Sequence, residues 1–201
     1  SNGISETVQR APSYVYFKQK KMKTLISELK FDESDALDFS QLKILLKGRV
    51  SGLKVKYVDL ETVRGEYSIG DFLPSHVNAA LILLTAIVSG RTQRHWTCLI
   101  RHKDNSLSFF DSMAFGFHTL SHLLQDNMKF ANFMRRIRAK PNKKQIQKEV
   151  AMVKTCGLHC VVRLVKHELK SNEYDHWLHG FRMDTDLLVA VLTYIGHLSV
   201  Q

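Results

Sequence analysis

Hydrophobic and polar residues follow strand-like patterns in five segments. Lys54–Leu60 alternates apolar and polar side chains, as a strand with one buried face does. Leu81–Val88 is almost entirely apolar, which favours a buried strand, although the pattern alone also fits a buried helix. His95–Arg101 and Leu107–Phe110 flank a short turn signal and predict a hairpin. Residues 145–153 predict a further strand that runs into a loop.

Four segments carry apolar residues at helical spacing. The first follows Ser40, which we expect to be its N-cap. The others are residues 118–136, Cys156–Leu169 and Asp184–Ile195, each with an apolar stripe along one side. The segment Cys156–Leu169 begins at a cysteine followed by glycine, so its first turn is a candidate reactive position.

Strands and helices together predict an α+β fold with a central mixed sheet and helices on either side. We expect the helix that begins at Cys156 to pack centrally against that sheet. Gly90–Gln93 predicts a polar loop between two central strands, and Tyr174–His179 predicts a loop or helix end. Residues 1–50 are interpreted as an N-terminal arm with helices, and residues 51–201 as the main domain, together one compact unit.

The charge balance predicts an attraction to polyanions. Lys and Arg number 29 against 19 acidic residues, a formal net charge of +10. The densest basic runs are Lys18–Lys23 and Arg135–Lys140. Such a surface can contact nucleic acid, or it can serve solubility alone. No apolar run reaches the roughly 18–20 residues that span a bilayer, so no membrane partner is expected.

The three cysteines predict reduced thiols. An odd count, with no secretory signal at the start of the sequence, argues against a disulfide framework and for an intracellular, reducing location. One of the three thiols is therefore a candidate nucleophile.

Three residues at the ends of predicted elements suit a cysteine protease. His95 opens one strand of the hairpin, and Asp111 directly follows the other strand, 16 residues later. Adjacent strands would bring the two together, so that Asp111 orients His95 as a base. Cys156 begins a helix, where the helix dipole and a nearby imidazolium lower the pKa of a thiol. An oxyanion needs hydrogen-bond donors, and the Cys156 backbone N–H with a side chain from Gln147 or Gln145 could supply them.

The segments HWTCLI, LSFFDSMAFGF and TCGLHCVVRL, in this order, resemble the adenovirus-type cysteine proteases (adenain) and their relatives in virophages and Polinton-type elements. The resemblance covers roughly residues 70–170. It implies a papain-like, adenain-type fold with His95 as base, Asp111 as the acidic orienter and Cys156 as nucleophile. The adenovirus enzymes have Glu at the acidic position, whereas Asp occurs in related ubiquitin-like proteases.

The oxyanion glutamine departs from the family's spacing. In the family it lies six or seven positions before the cysteine, where this chain has Val150 and Glu149. Gln147 lies nine positions before Cys156 (156 − 147), and we assign the role to it.

The resemblance also implies a function. A protein of this kind is a cysteine endopeptidase that processes viral capsid or core precursors during virion maturation and cleaves next to small residues such as Gly. It requires no cofactor, although DNA or a peptide can act as an activator. Its partners are precursor polypeptides, it is a monomer, and its location is the virion and the infected host cell.

Three other interpretations remain open at this point. The same fold could release a ubiquitin-like modifier. Cys156, His159 and Cys160 share one helix face and could bind a metal together with His176 or His179. Finally, the chain could be a basic nucleic-acid-binding protein without enzymatic activity.

Overall fold

A five-stranded mixed sheet forms the centre of the described part of the chain, residues 37–148 and 155–199 of a computed structural model. The strands lie in chain order across the sheet. The first and last pairs are parallel, and the two central pairs are antiparallel. The strands are β1 Val55–Asp59, β2 Ala79–Val88, β3 Arg91–Arg101, β4 Leu107–Phe110 and β5 Lys140–Pro141.

Seven α-helices of the described residues pack around this sheet, which confirms the α+β prediction. A short 3₁₀ turn, Leu60–Thr62, follows β1. None of these helices is long and apolar enough to cross a bilayer. The helices are α1 Phe39–Leu46, α2 Ile69–Phe72, α3 Gly116–Leu124, α4 Lys129–Arg136, α5 Cys156–Val165, α6 Ser171–His179 and α7 Thr185–Ser199.

The two faces of the sheet carry different helices, because successive strand residues point to opposite sides. Helix α3 contacts β2 on one face. On that face Leu84, Leu99 and Phe109 belong to a buried apolar cluster that includes residues of α3 and α4. On the other face α5 lies against β3, and α1 and α7 pack against α5. Helix α5 is buried from Cys156 to Leu164, as expected for a central helix.

The predicted loop at Gly90–Gln93 is wrong, because β3 already begins at Arg91. The connection from β2 is a two-residue turn at Ser89 and Gly90, both with positive φ (51° and 72°). That combination is typical of a tight hairpin turn and pairs Val88 with Arg91. The polar residues that suggested a loop form the exposed end of a long strand.

The predicted strand at residues 145–153 is wrong for residues 145–148, and its remainder lies outside the described residues. The backbone N–H groups of Ile146 and Gln147 both donate to the carbonyl of Ser112, at 2.8 and 2.9 Å, instead of forming a ladder. The fifth strand is the short β5, which pairs with β4.

Two local predictions about helices also change, and a third is confirmed in one of its two alternatives. Residues 118–136 form two helices, because Gln125, Asn127 and Met128 adopt positive φ between them. Helix α1 is capped by Asp38 rather than Ser40, since the Asp38 side chain accepts from the Gln41 backbone N–H. Tyr174–His179, predicted as a loop or helix end, is the end of helix α6, which buries Tyr174 and Leu178.

Candidate active site

His95 and Asp111 meet where the pairing of β3 with β4 ends. The pairing ends at Cys98 and Phe110. Asp111 directly follows β4 and lies beside the residues of β3 that precede Cys98. The Nε2 atom of His95 lies 2.7 Å from Asp111 Oδ1. Asp111 is only 1% exposed. The hairpin therefore brings together the base and the acid that the sequence predicted.

Several backbone contacts fix the orientation of Asp111. Its carboxylate accepts hydrogen bonds from the backbone N–H groups of Met113 and Phe115, at 2.9 and 3.1 Å. The side chain of Asn142 accepts from the Asp111 N–H at 2.8 Å and donates to the Asp111 carbonyl at 2.7 Å. Asn142 was missed by sequence reasoning, because only its place after β5 brings it next to Asp111.

Cys156 is the first residue of α5 and lies against β3. Its Sγ accepts a hydrogen bond from the Trp96 backbone N–H at 3.5 Å. The His95 imidazole is its other polar neighbour and lowers the pKa of the thiol. Since Asp111 occupies Nε2 of His95, the other ring nitrogen, Nδ1, is the one that serves the thiol. The arrangement is a Cys–His–Asp triad in this order of contact.

The electrostatics of the pair favour a thiolate beside an imidazolium. Burial lowers the pKa of His95, but hydrogen bonds and charge interactions with Asp111 and Cys156 outweigh it and raise this pKa to about 10. Burial raises the pKa of Cys156, but His95 and the backbone N–H groups of Trp96 and Gly157 outweigh it, and this pKa is lowered. A thiolate is the nucleophilic form of cysteine.

Gln147 lines the same cavity as His95 and Cys156. Its Oε1 accepts a hydrogen bond from the Ser112 hydroxyl at 2.6 Å. The oxygen end of the amide is thus held by Ser112, and the Nε2 end is the donor that an oxyanion requires. Gln145 is exposed, and its side chain donates to the Gln147 carbonyl at 2.9 Å. Between the two candidate amides, Gln147 is the one that lines the cavity of Cys156.

The cavity at this site has a volume of about 650 Å³ and lies between the β2–β3 hairpin and α3. Its apolar side is formed by strand β2, helix α3 and Phe115. Apart from His95 and Cys156, the titratable residues that line it are basic: Arg91, Arg94 and Lys148. An extended peptide could enter between the hairpin and the helix and present a carbonyl to Cys156.

Close packing fixes the start of α5 against β3. Trp96 is fully buried, and its indole N–H donates to the Leu37 carbonyl at 2.6 Å. A Cβ atom added to Gly157 would lie 3.3 Å from both Leu37 and Trp96 side-chain atoms. Glycine at this position therefore permits the approach that brings Cys156 to the Trp96 N–H.

The side chains that were candidate metal ligands do not come together at one site. His159 is fully buried and bonds Asp186 at 2.8 Å. Cys160 is buried, and burial, followed by its interaction with Cys98, raises its pKa. His176 and His179 line a different cavity, on α6. Among residues 37–148 and 155–199, no three His, Cys, Asp or Glu side chains are grouped so that they could hold a metal ion.

Of the two basic runs, the structure describes Arg135–Lys140. Lys18–Lys23 lies outside the described residues. Within Arg135–Lys140, the Arg136 side chain donates to the Tyr67 carbonyl at 2.8 Å, so it has a structural contact in addition to its charge.

Comparison with known proteins gives a distant viral relative. No protein-family model matches the chain. The chain is similar to "Uncharacterized protein V9" of Sputnik virophage, with 24% identity over 188 residues. The alignment covers 84% of this chain and 99% of that protein. This similarity supports a viral, virophage-type origin.

Proposed function

We propose that this chain is a cysteine endopeptidase with Cys156 as nucleophile, His95 as base and Asp111 as the group that orients the base. The observation that carries the proposal is the position of His95. One ring nitrogen lies 2.7 Å from Asp111, and the imidazole lines the same cavity as the Cys156 thiol and interacts with it electrostatically. The pKa values of His95 and Cys156 move in opposite directions, as an ion pair requires.

Peptide hydrolysis then proceeds in two steps. The Cys156 thiolate attacks the scissile carbonyl carbon, and the His95 imidazolium gives its proton to the leaving amine. This forms an acyl-thioenzyme. A water molecule, deprotonated by His95, attacks the acyl group and releases the carboxylic acid and the thiolate. The Gln147 amide and the Cys156 backbone N–H stabilise the oxyanion in both steps.

The proposed substrates are viral capsid or core precursor polypeptides, cleaved next to small residues such as Gly. Two observations support this substrate class: the resemblance of residues 70–170 to adenovirus-type proteases, and the similarity of the chain to a virophage protein. DNA or a peptide is the proposed activator, and the net charge of +10 is compatible with DNA.

Incubation with the capsid precursors encoded in the same viral genome tests this proposal. The wild-type chain should cleave them next to small residues, with and without DNA, and Cys156→Ala should not. Cys98→Ser is the matched control, because Cys98 is also a buried thiol but points to the opposite face of β3 from His95. A fusion to a ubiquitin-like modifier runs in parallel. Cleavage of that fusion alone would reassign the substrate, and cleavage by Cys156→Ala would refute the mechanism.

A further inference from the structure

The carboxylate of Asp186, at the start of α7, joins two segments of the candidate site. Its Oδ1 accepts hydrogen bonds from Thr155 Oγ1 at 2.5 Å and from His159 Nε2 at 2.8 Å. Its Oδ2 accepts from the Lys148 backbone N–H at 3.0 Å. Asp186 is 9% exposed, and His159 is fully buried. All three contacts therefore lie largely away from water, where a hydrogen bond to a charged group is strong.

The residues that Asp186 contacts are neighbours of the catalytic groups. Lys148 directly follows Gln147, the proposed oxyanion donor. Thr155 directly precedes Cys156, the proposed nucleophile. The intervening residues 149–154 lie outside the described part of the chain. The two described ends of this segment are thus linked by a single carboxylate.

Adjacent contacts hold the start of α7 against the same segment. The hydroxyl of Thr185 donates to the carbonyl of Ile146, and the Lys148 ammonium pairs with the more exposed Asp184. Residues 184–186 therefore contact residues 146–148 through three successive side chains. Of these, Asp186 alone also reaches the start of α5.

We propose that Asp186 is a positioning residue that sets the distance between the Gln147 amide and the Cys156 thiolate. This inference rests on the proposed protease function. It also accounts for the nine-residue separation of Gln147 and Cys156, which is longer than in the resembling family. When both ends of a segment are bonded to one carboxylate, the number of residues between them no longer determines how far apart those ends lie.

An aspartate suits this role because a carboxylate accepts hydrogen bonds at both oxygens. Three donors converge on Asp186, two on one oxygen and one on the other. An asparagine would turn an NH₂ group toward at least one of these donors and lose that contact. Asp186→Asn should therefore separate the two ends without changing the volume of the side chain.

The kinetic test compares Asp186→Asn and Asp186→Ala with wild type, using a precursor-derived peptide. We expect kcat to fall by about 10–100-fold, as when an oxyanion donor is displaced, with KM changed by less than about threefold. Asp184→Asn is the matched control at the same helix end, and it should retain activity. Combining Asp186→Ala with Gln147→Ala should cost little beyond Gln147→Ala alone.

Alkylation of Cys156 separates positioning from general loosening of the fold. Iodoacetamide attacks the thiolate without forming an oxyanion, so its rate should stay close to wild type in both Asp186 variants. Equal losses of kcat and alkylation rate would indicate a merely structural role and overturn the proposal. Unchanged kcat, or fully additive losses with Gln147→Ala, would overturn it as well.

Amide hydrogen exchange gives a readout that needs no substrate. The Lys148 N–H should exchange faster in Asp186→Ala than in wild type, while amides in β2 and β3 keep their protection. Unchanged exchange at Lys148 would refute the link itself. If wild type cleaves no peptide at all, the proposed protease function fails, and this measurement still decides whether Asp186 joins the two segments.

Discussion

The Nε2 atom of His95 lies 2.7 Å from Asp111 Oδ1, and this contact determines which ring nitrogen faces Cys156. The Asp111 carboxylate is itself held by two backbone N–H groups. The base therefore has a fixed ring orientation before any substrate arrives. A protease that generates its thiolate through a histidine requires such an arrangement.

Replacing Asp111 should impair catalysis through His95. Asp111→Asn keeps the size of the side chain but removes the negative charge that helps to raise the pKa of His95. We expect kcat to fall on the order of 10²–10⁴-fold, as for the orienting carboxylate of other triads. The alkaline limb of the pH–rate profile should move to lower pH, because the imidazolium then loses its proton more easily. A kcat near wild type with an unshifted limb would contradict the assigned role.

The Cys156 thiol should react at a pH where ordinary thiols are largely protonated. Because the pKa of Cys156 is lowered, alkylation by iodoacetamide should have its midpoint below 9, the ordinary value of the thiol. His95→Gln should move the midpoint back up. Cys98 and Cys160, both fully buried, should stay unmodified in the folded chain. Mass spectrometry of the modified peptides distinguishes the three sites, and preferential labelling of Cys160 would argue against Cys156 as nucleophile.

Gln147→Ala should lower kcat by about 10²–10³-fold with little change in KM, because an oxyanion donor acts mainly in the transition state. Ser112→Ala should have a smaller effect, since it removes only the hydrogen bond that orients the amide. Gln145→Ala is the matched control and should behave as wild type. Peptide kinetics measure all three, and a larger loss in Gln145→Ala than in Gln147→Ala would reverse the assignment.

The proton balance of the His95–Cys156 pair predicts how stability depends on pH. Unfolded, the histidine titrates near 6.5 and the thiol near 9, whereas the folded pair keeps one proton on His95 up to about pH 10. Between 6.5 and 9 the raised pKa of His95 makes the free energy of unfolding fall as pH rises, while the lowered pKa of Cys156 opposes that fall. Above 9 the contribution of Cys156 is complete, and the free energy of unfolding falls as pH rises through about 10. The contribution of Cys156 is lost as pH falls through its lowered pKa.

The variant Cys156→Ser isolates this effect. Without the thiol, the folded state still holds a proton on His95 that the unfolded state has lost above pH 6.5. The free energy of unfolding should then decline more steeply with pH above 6.5 than in wild type, because no thiol opposes the decline. Urea unfolding at a series of pH values measures both proteins. Parallel curves for wild type and Cys156→Ser would contradict the existence of the ion pair.

The three principal site residues could be predicted because each has a local signal. Asp111 directly follows one strand of a hairpin with a short turn, His95 lies within the other strand rather than at its start as predicted, and Cys156 stands at the start of an apolar helix. For such positions, the pattern of neighbouring residues fixes the element and hence the approximate place. The same reasoning found β4 in full, because its four residues are bounded by a turn signal and an acid.

The supporting residues could not be found in this way. Asn142 bonds Asp111 across 31 residues, Ser112 bonds Gln147 across 35, and Asp186 bonds Thr155 across 31. Each is an ordinary polar residue by local pattern and acquires its role only from tertiary contacts. The false strand at residue 145 has a related cause: its backbone N–H groups find a partner in a distant carbonyl, which no periodicity reveals.

The hairpin turn at Ser89 and Gly90 has a consequence for how misfolding would affect the proposed activity. It sets the register in which Leu84 pairs with His95 and Leu83 with Trp96. A slip of one residue would send the imidazole to the α5 face and expose the indole in its place. Misregistered molecules would lose the core and the base at once. A wrongly assembled copy would therefore be inert toward surrounding proteins, and proteolytic activity would itself serve as a test of correct folding.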